Sequence, residues 1–292
     1  MCYNNIEKLA RDNNTNFVKK ISKSDAYELN FFDIGFIKIQ NLRIFLCHVR
    51  SNLLPIKEGI AMYRYETHLH TSPVSICAKK TVRENLEFYK SLGYDGVFIT
   101  NHFLDGNFVA RNTDLSYEEK IKIYISDYTE GSEIGKELGI RVFFGVELSY
   151  RGTDFLVYGL EPEWYLAHPE IMEMEKSTEL PYLIKEGGFV VHAHPFREAT
   201  YIDHIRLFPR CIQGVEVFNA NRTAFENKMA DRYADSYGFC KTAGSDNHAG
   251  EGQKILAGLE SDTPIKDVND FIERVKNGEM SIFIIDRKND SQ

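Results

Sequence analysis

From Met62 onward, short apolar runs alternate with amphipathic stretches under clear punctuation, and this strand-then-helix rhythm restricts the fold more than any other feature. Arg64 to His68, Gly96 to Thr100, Val142 to Glu147, Phe155 to Tyr158, Phe189 to Val191, Val215 to Phe218 and Phe239 to Ala243 read as strands, with Ile282 to Ile285 as a last one. Thr81 and Glu84 form a capping box that opens a helix running to Leu92 and stopping at Gly93. A second helix begins near Ser116 with Glu119 at its third position, and Gly131 and Gly135 allow it to break. Further helices fill Glu170 to Lys185, Arg222 to Tyr237 and Ile265 to Asn277. Strands and helices in this alternation imply a parallel sheet that closes, or nearly closes, into an α/β barrel, with an open doubly wound sheet as the alternative.

Residues 1 to 61 lack that rhythm. They carry two apolar patches, Phe31 to Ile37 and Ile44 to Cys47, whose periodicity does not choose between hairpin and helix. Lys57-Glu58-Gly59 can be encoded by a purine-rich stretch resembling a bacterial ribosome-binding site, with Met62 following as a start, so one reading of this extension is translated leader.

With 43 acidic and 35 basic residues the formal charge is −8, which argues against generic attraction to nucleic acid or anionic membrane. A bound metal cluster can still reverse the local sign for a small phosphorylated substrate. The five cysteines, Cys2, Cys47, Cys77, Cys211 and Cys240, lack the close pairing of a zinc ribbon or redox motif and read as reduced thiols. No apolar run approaches the roughly 20 residues that span a bilayer, and the expected location is the cytoplasm.

The metal-capable side chains fall at strand ends. His68 and His70 end the first strand, His102 the second and Glu147 the third, while His194, Asp246 and His248 follow later ones. In a parallel barrel all strand C-termini open on one face, so residues far apart in sequence converge. Imidazole and carboxylate suit zinc, manganese or iron.

Glu66-Thr67-His68-Leu69-His70-Thr71, Ile99-Thr100-Asn101-His102, Gly145-Val146-Glu147, Ala193-His194-Pro195 and Gly244-Ser245-Asp246-Asn247-His248 resemble, in order, the motifs of PHP (polymerase and histidinol phosphatase) phosphoesterases. The resemblance covers about Tyr63 to Ala249. It implies a distorted (β/α)7 barrel holding two or three divalent metals, and divides the chain into an extension, 1–61, and a PHP metallohydrolase domain, 62–292. Carried over, His68, His70, Glu147 and Asp246 would bind one metal. Glu147 would bridge to a second, shared with His194 and with Asp154, where relatives often carry histidine. His102 and His248 would hold a third. Two departures weaken that third position: Ser75 stands near where relatives supply another ligand, and Asn101 stands where aspartate is common.

The activity implied is hydrolysis of a small phosphomonoester or nucleotide by water activated between two metals about 3.5 to 4 Å apart. Arg197 is the candidate phosphate clamp, with Lys79 and Arg222 behind it and Asn219 and Asn221 as possible substrate contacts. His48, His168 and His204 read as ordinary polar residues, and His192 as a neighbour supporting His194. The alternatives are a non-catalytic metal-binding regulatory module, a short-oligonucleotide nuclease without a stable nucleic-acid complex, and an amidohydrolase.

Overall fold

A computed structural model describes residues 62–287, so the extension, its apolar patches and the leader reading lie outside the described residues. Nine strands and seven α-helices are seen among the described residues. The first half comprises β1 (Tyr63–Leu69), α1 (Val82–Ser91), β2 (Gly96–Ile99), α2 (Tyr117–Tyr124), α3 (Ser126–Leu138), β3 (Arg141–Tyr150), β4 (Thr153–Tyr158) and α4 (Pro162–Ala167). The second comprises α5 (Lys176–Lys185), β5 (Phe189–Ala193), β6 (Gly214–Asn219), α6 (Ala224–Tyr237), β7 (Cys240–Gly244), β8 (Ile255–Ser261), α7 (Val268–Asn277) and β9 (Ser281–Asp286). None of these helices is long and apolar enough to cross a membrane.

Strands β1 to β7 lie side by side in chain order and curve into a nearly closed barrel. Its edges meet at a bridge between Leu69, the last residue of β1, and Asn247, just past β7. There the His70 amide donates to the Asn247 carbonyl at 3.1 Å and the Asn247 amide to the His68 carbonyl at 3.2 Å. The antiparallel pair β8–β9 continues the sheet from the other side of β1.

One expectation is corrected here: the sheet is mixed, because β4 runs antiparallel to both β3 and β5. Arg151 and Gly152 join β3 to β4 with φ of 51° and 82°, the two positive values a type I′ hairpin turn requires. No helix intervenes, so the chain must reverse. The reversal places the start of β4 at the end of the barrel where the parallel strands finish.

Helix starts follow local chemistry. Thr81 and Ser116 cap α1 and α2 in reciprocal capping boxes with Glu84 and Glu119, and Thr223 does the same for α6 with Glu226. The expected break in the second helix falls at Ile125, where α2 gives way to α3, and not at Gly131 or Gly135. Both glycines instead let α3 lie close to the sheet: a Cβ at Gly135 would stand 2.6 Å from the Ile140 carbonyl.

Tyr65, Phe98, Phe143, Tyr158 and Phe189, from five successive strands, form one cluster with Phe271 of α7. Phe271 is fully buried, its ring 4.5 Å from Phe98 and 5.5 Å from Tyr158. Burial of that much aromatic surface makes α7 part of the core although it follows the eighth strand, outside the seven that form the barrel.

Candidate metal centre

Every proposed ligand position lies at one end of the barrel. His68 is in β1 and His70 follows it, His102 follows β2, Glu147 is in β3, His194 follows β5, and Asp246 and His248 follow β7. Asp154 is the second residue of β4 and reaches the same end because that strand is reversed. All are buried except His248, which is about a quarter exposed.

The donor atoms face one another. His68 Nε2 is 3.1 Å from Glu147 Oε1 and 3.6 Å from Asp246 Oδ1, and His70 Nε2 is 3.4 Å from Glu147 Oε2 and from Asp246 Oδ1. His194 Nε2 is 3.4 Å from Glu147 Oε1, 3.8 Å from Asp246 Oδ2 and 3.9 Å from Asp154 Oδ2. His102 Nδ1 approaches Glu147 Oε2 at 2.7 Å, yet neither atom has an aligned hydrogen bond. Two ligands bonded to one ion at about 2.1 Å stand about 3.0 to 3.4 Å apart, which is the spacing that His68 and Glu147, His70 with Glu147 and with Asp246, and His194 with Glu147 show. Inward-facing lone pairs left without hydrogen-bond partners in a buried site fit bound cations.

The charge balance agrees. Burial would lower the His68 pKa, but Glu216, Asp246 and Glu147 hold it well above the ordinary value. His70 is driven well below it by burial and by His248 and His102. Burial opposes ionisation of Glu147 and Asp246, yet the surrounding imidazoles hold both carboxyls well below their usual range. Cation binding at these imidazoles would displace the protons that the neighbouring carboxylates favour on His68.

Two of these residues sit in left-handed backbone. His194 has φ 29° and Asp246 φ 52°, conformations that cost a non-glycine residue of order 1 kcal/mol or more. The kink at His194 also decides the fate of His192. His192 is fully buried with its ring stacked on Phe155 at 4.8 Å and neither nitrogen hydrogen-bonded, so it packs in the core and does not support His194. Burial pushes its pKa down to about 3, which leaves the ring neutral.

No protein-family model matches the chain, and no curated protein does. Among solved structures, a two-domain protein containing a predicted PHP-like metal-dependent phosphoesterase from Bacteroides vulgatus matches with a TM-score of 0.57 at 13% identity, covering 79% of this chain and 67% of that one. The chain has the PHP fold. PsfC from Pseudomonas syringae also matches, at 15% identity over 77% of this chain and 91% of that one, with a TM-score of 0.48. An amidohydrolase from Chromobacterium violaceum matches at 14% identity over 78% and 100%, with a TM-score of 0.45. Neither of the last two is close enough to inform the chemistry.

Within this PHP fold several contributors escaped the sequence reading. Glu216, in the middle of β6, accepts from His68 Nδ1 at 2.9 Å and from the His194 amide at 3.0 Å, so it turns His68 Nε2 inward and braces the kink. The signal was a lone carboxylate in the apolar run Val215 to Phe218. Asn219, read in the sequence as a substrate contact, instead donates to Glu216 at 2.9 Å and to Asp246 at 3.3 Å; it is fully buried and braces those two carboxylates. Gly244 lies against His68, where a Cβ would stand 2.5 Å from the histidine Cβ.

Asn101 also has a reason to depart from aspartate. Its Nδ2 donates to Thr71 Oγ1 at 2.8 Å and to the buried Asp127 carboxylate at 3.2 Å, while its Oδ1 accepts from the Thr71 amide at 2.7 Å. Ser75 Oγ donates to Asn101 Oδ1 at 2.8 Å and receives the His102 amide at 3.0 Å, so its hydroxyl is committed to scaffolding. Cys77 lies at the same end of the barrel: burial would raise its pKa, but the imidazoles of His102 and His248 bring it down to about 6.

A cavity of about 540 Å³ opens over the cluster, and Arg111, Arg151, Arg197 and Arg222 line it. Arg197 Nη1 pairs with Asp154 at 3.2 Å and Nη2 with the Tyr201 hydroxyl, while its Nε is buried without a partner, as is Nε of Arg222. Lys79 does not line the cavity, whereas Asn221 does.

Proposed function

We propose that this chain is a metal-dependent hydrolase that cleaves the phosphoester bond of a small anionic substrate, a phosphomonoester or a nucleotide. One observation carries the reading: the buried imidazole and carboxylate donors open into a cavity walled by four arginines. Planar guanidinium groups pair with phosphate oxygens in bidentate fashion, and a cavity of this volume suits a ligand of nucleotide size. His68, His70, Glu147 and Asp246 would hold a first divalent cation, manganese, zinc or iron. Glu147, Asp154 and His194 would hold a second, and His102 and His248 belong to a third position. Cations bound there supply Lewis acidity toward a phosphoryl oxygen and neutralise its charge.

The protein's own groups do the rest. Glu147 is shared by the first two donor sets and fixes their separation. Glu216 keeps the His68 tautomer that presents Nε2 to the cluster, although it lies outside the cavity. Arg197 is held by Asp154 against the cavity wall, so the guanidinium is pre-positioned for an arriving phosphate. Free thiols at Cys77, Cys211 and Cys240 suit a reducing compartment and support the cytoplasm as the site of action, with the domain from residue 62 as the catalytic unit.

The test is to count bound metals by elemental analysis and to follow phosphate release from an aryl phosphate and a nucleotide panel. Two or more metals per chain, with turnover lost by at least about a hundredfold in His68→Ala and in Asp246→Ala, is the expected result. Bound metal without turnover on any phosphoester would move the assignment to a regulatory metal-binding module.

A further inference from the structure

The connection from β5 to β6 carries no helix, and part of it lies over the turn that joins β3 to β4. It is pinned along its length. The Glu198 amide donates to Glu226 of α6 at 2.9 Å, and Arg206 Nη1 donates to the Arg151 carbonyl at 3.0 Å. Ile202 packs on Gly152, where a Cβ would stand 2.7 Å from its Cγ1, and the Phe208 ring lies 5.2 Å from that of the buried Phe155.

Tyr201 is left out of that packing. It is 65% exposed, and among the described residues it is the one Tyr, Phe or Trp that lines the cavity over the donor cluster. Arg197 Nη2 donates to its hydroxyl, and the guanidinium carbon stands 5.5 Å from the ring centre. Contact at the hydroxyl end leaves the ring faces to other partners. The same guanidinium holds Asp154 Oδ2 with Nη1 at 3.2 Å, and its Nε is buried without a hydrogen-bond partner. Arg197 therefore spans the distance from the donor cluster to the tyrosine. An anion that takes the open Nε has the cluster on one side and a flat apolar surface on the other.

We infer that Tyr201 is a specificity-determining residue, a platform on which a planar ring of the substrate stacks. The cavity then selects phosphate esters whose alcohol carries an aromatic or heterocyclic ring over esters of open-chain or plain sugar alcohols. The inference rests on the phosphoester reading above and adds which part of the alcohol is recognised and by which side chain. A π face accepts any flat ring, and stacking raises affinity about tenfold or more per ring. A tyrosine with few rotatable bonds on a pinned loop loses little freedom when it stacks. The cavity of about 540 Å³ has room for a ring beyond the phosphate.

The experiment compares AMP with ribose 5-phosphate, which differ by the ring alone, on the full-length chain as wild type, Tyr201→Phe and Tyr201→Leu. Phosphate release gives KM and kcat, and calorimetry gives the affinity for the phosphonate analogues of both esters, whose carbon–phosphorus bond water does not cleave. Wild type should bind the adenine-bearing analogue about tenfold or more tightly than the ribose one, with the same preference in KM. Tyr201→Phe keeps the ring and should keep the preference. Tyr201→Leu should abolish it. Equal binding of the two analogues by wild type, or binding of neither, overturns the proposal, and turnover of both esters would then leave the hydrolase reading intact. A preference that survives in Tyr201→Leu also overturns it, as does an equal loss for both ligands, because Tyr201 would then serve only to hold Arg197. Binding preference without phosphate release from either ester would remove the hydrolase reading and leave the platform standing.

Discussion

Glu216 touches no part of the cavity, yet it holds the His68 ring and the His194 backbone at once. Glu216→Gln keeps the shape and removes the charge, so it should weaken metal binding about 10- to 100-fold with the fold retained, measured by competition with a chelating dye and by circular dichroism. At Asn101 the same logic runs through stability. Asn101→Asp would set a second carboxylate 3.2 Å from Asp127, whose own pKa burial already raises, and should cost roughly 2 to 3 kcal/mol in urea unfolding. The clustering of these side chains was legible in the sequence because histidine pairs and acids at strand ends of a barrel converge on one face. Glu216 was not, because a carboxylate inside a strand acquires meaning from neighbours distant in sequence.

At the scale of elements, most strands and helices could be read from periodicity and capping, and the failures have specific physical causes. Strand β8 went unread because Gly258 interrupts its apolar run. That glycine is required: a Cβ there would lie 2.1 Å from the Tyr65 carbonyl across the pairing with β1. The direction of β4 went unread because Arg-Gly is not the usual Asn-Gly signature of a two-residue hairpin. Reversal is what delivers Asp154, the first inward residue after the turn, to the end of the barrel that carries the other ligand positions. Helix α7 makes its own prediction. Phe271→Ala should cost about 3 to 5 kcal/mol, seen as a large fall in Tm, because the ring fills a space between Phe98 and Tyr158 that the barrel cannot collapse into. Metal content per folded chain should be unchanged, since the cluster lies at the opposite end.

For the whole molecule, the decisive property is how the barrel closes. Strands β7 and β1 form no regular ladder. Apart from the backbone bonds of Asn247, they are joined by Thr67 Oγ1 donating to the Ala243 carbonyl at 2.6 Å and the Ser245 amide donating to Glu66 at 2.9 Å. Asn247 lies between Asp246 and His248, and its backbone partners belong to His68 and His70, so the stitches that join the two edges alternate with the side chains proposed to hold cations. A cation drawn between His68 or His70 and Asp246 would therefore act as a clasp on a ring that hydrogen bonds alone leave half fastened. Amide exchange at His70 and Asn247 should accelerate on chelation while the β3–β4 pairing stays protected, and equal protection with and without metal would show that the ring needs no clasp. In a cell, a newly made chain would then be buckled by its own cargo: until ions arrive, the two edges of the ring would hold on these few hydrogen bonds alone.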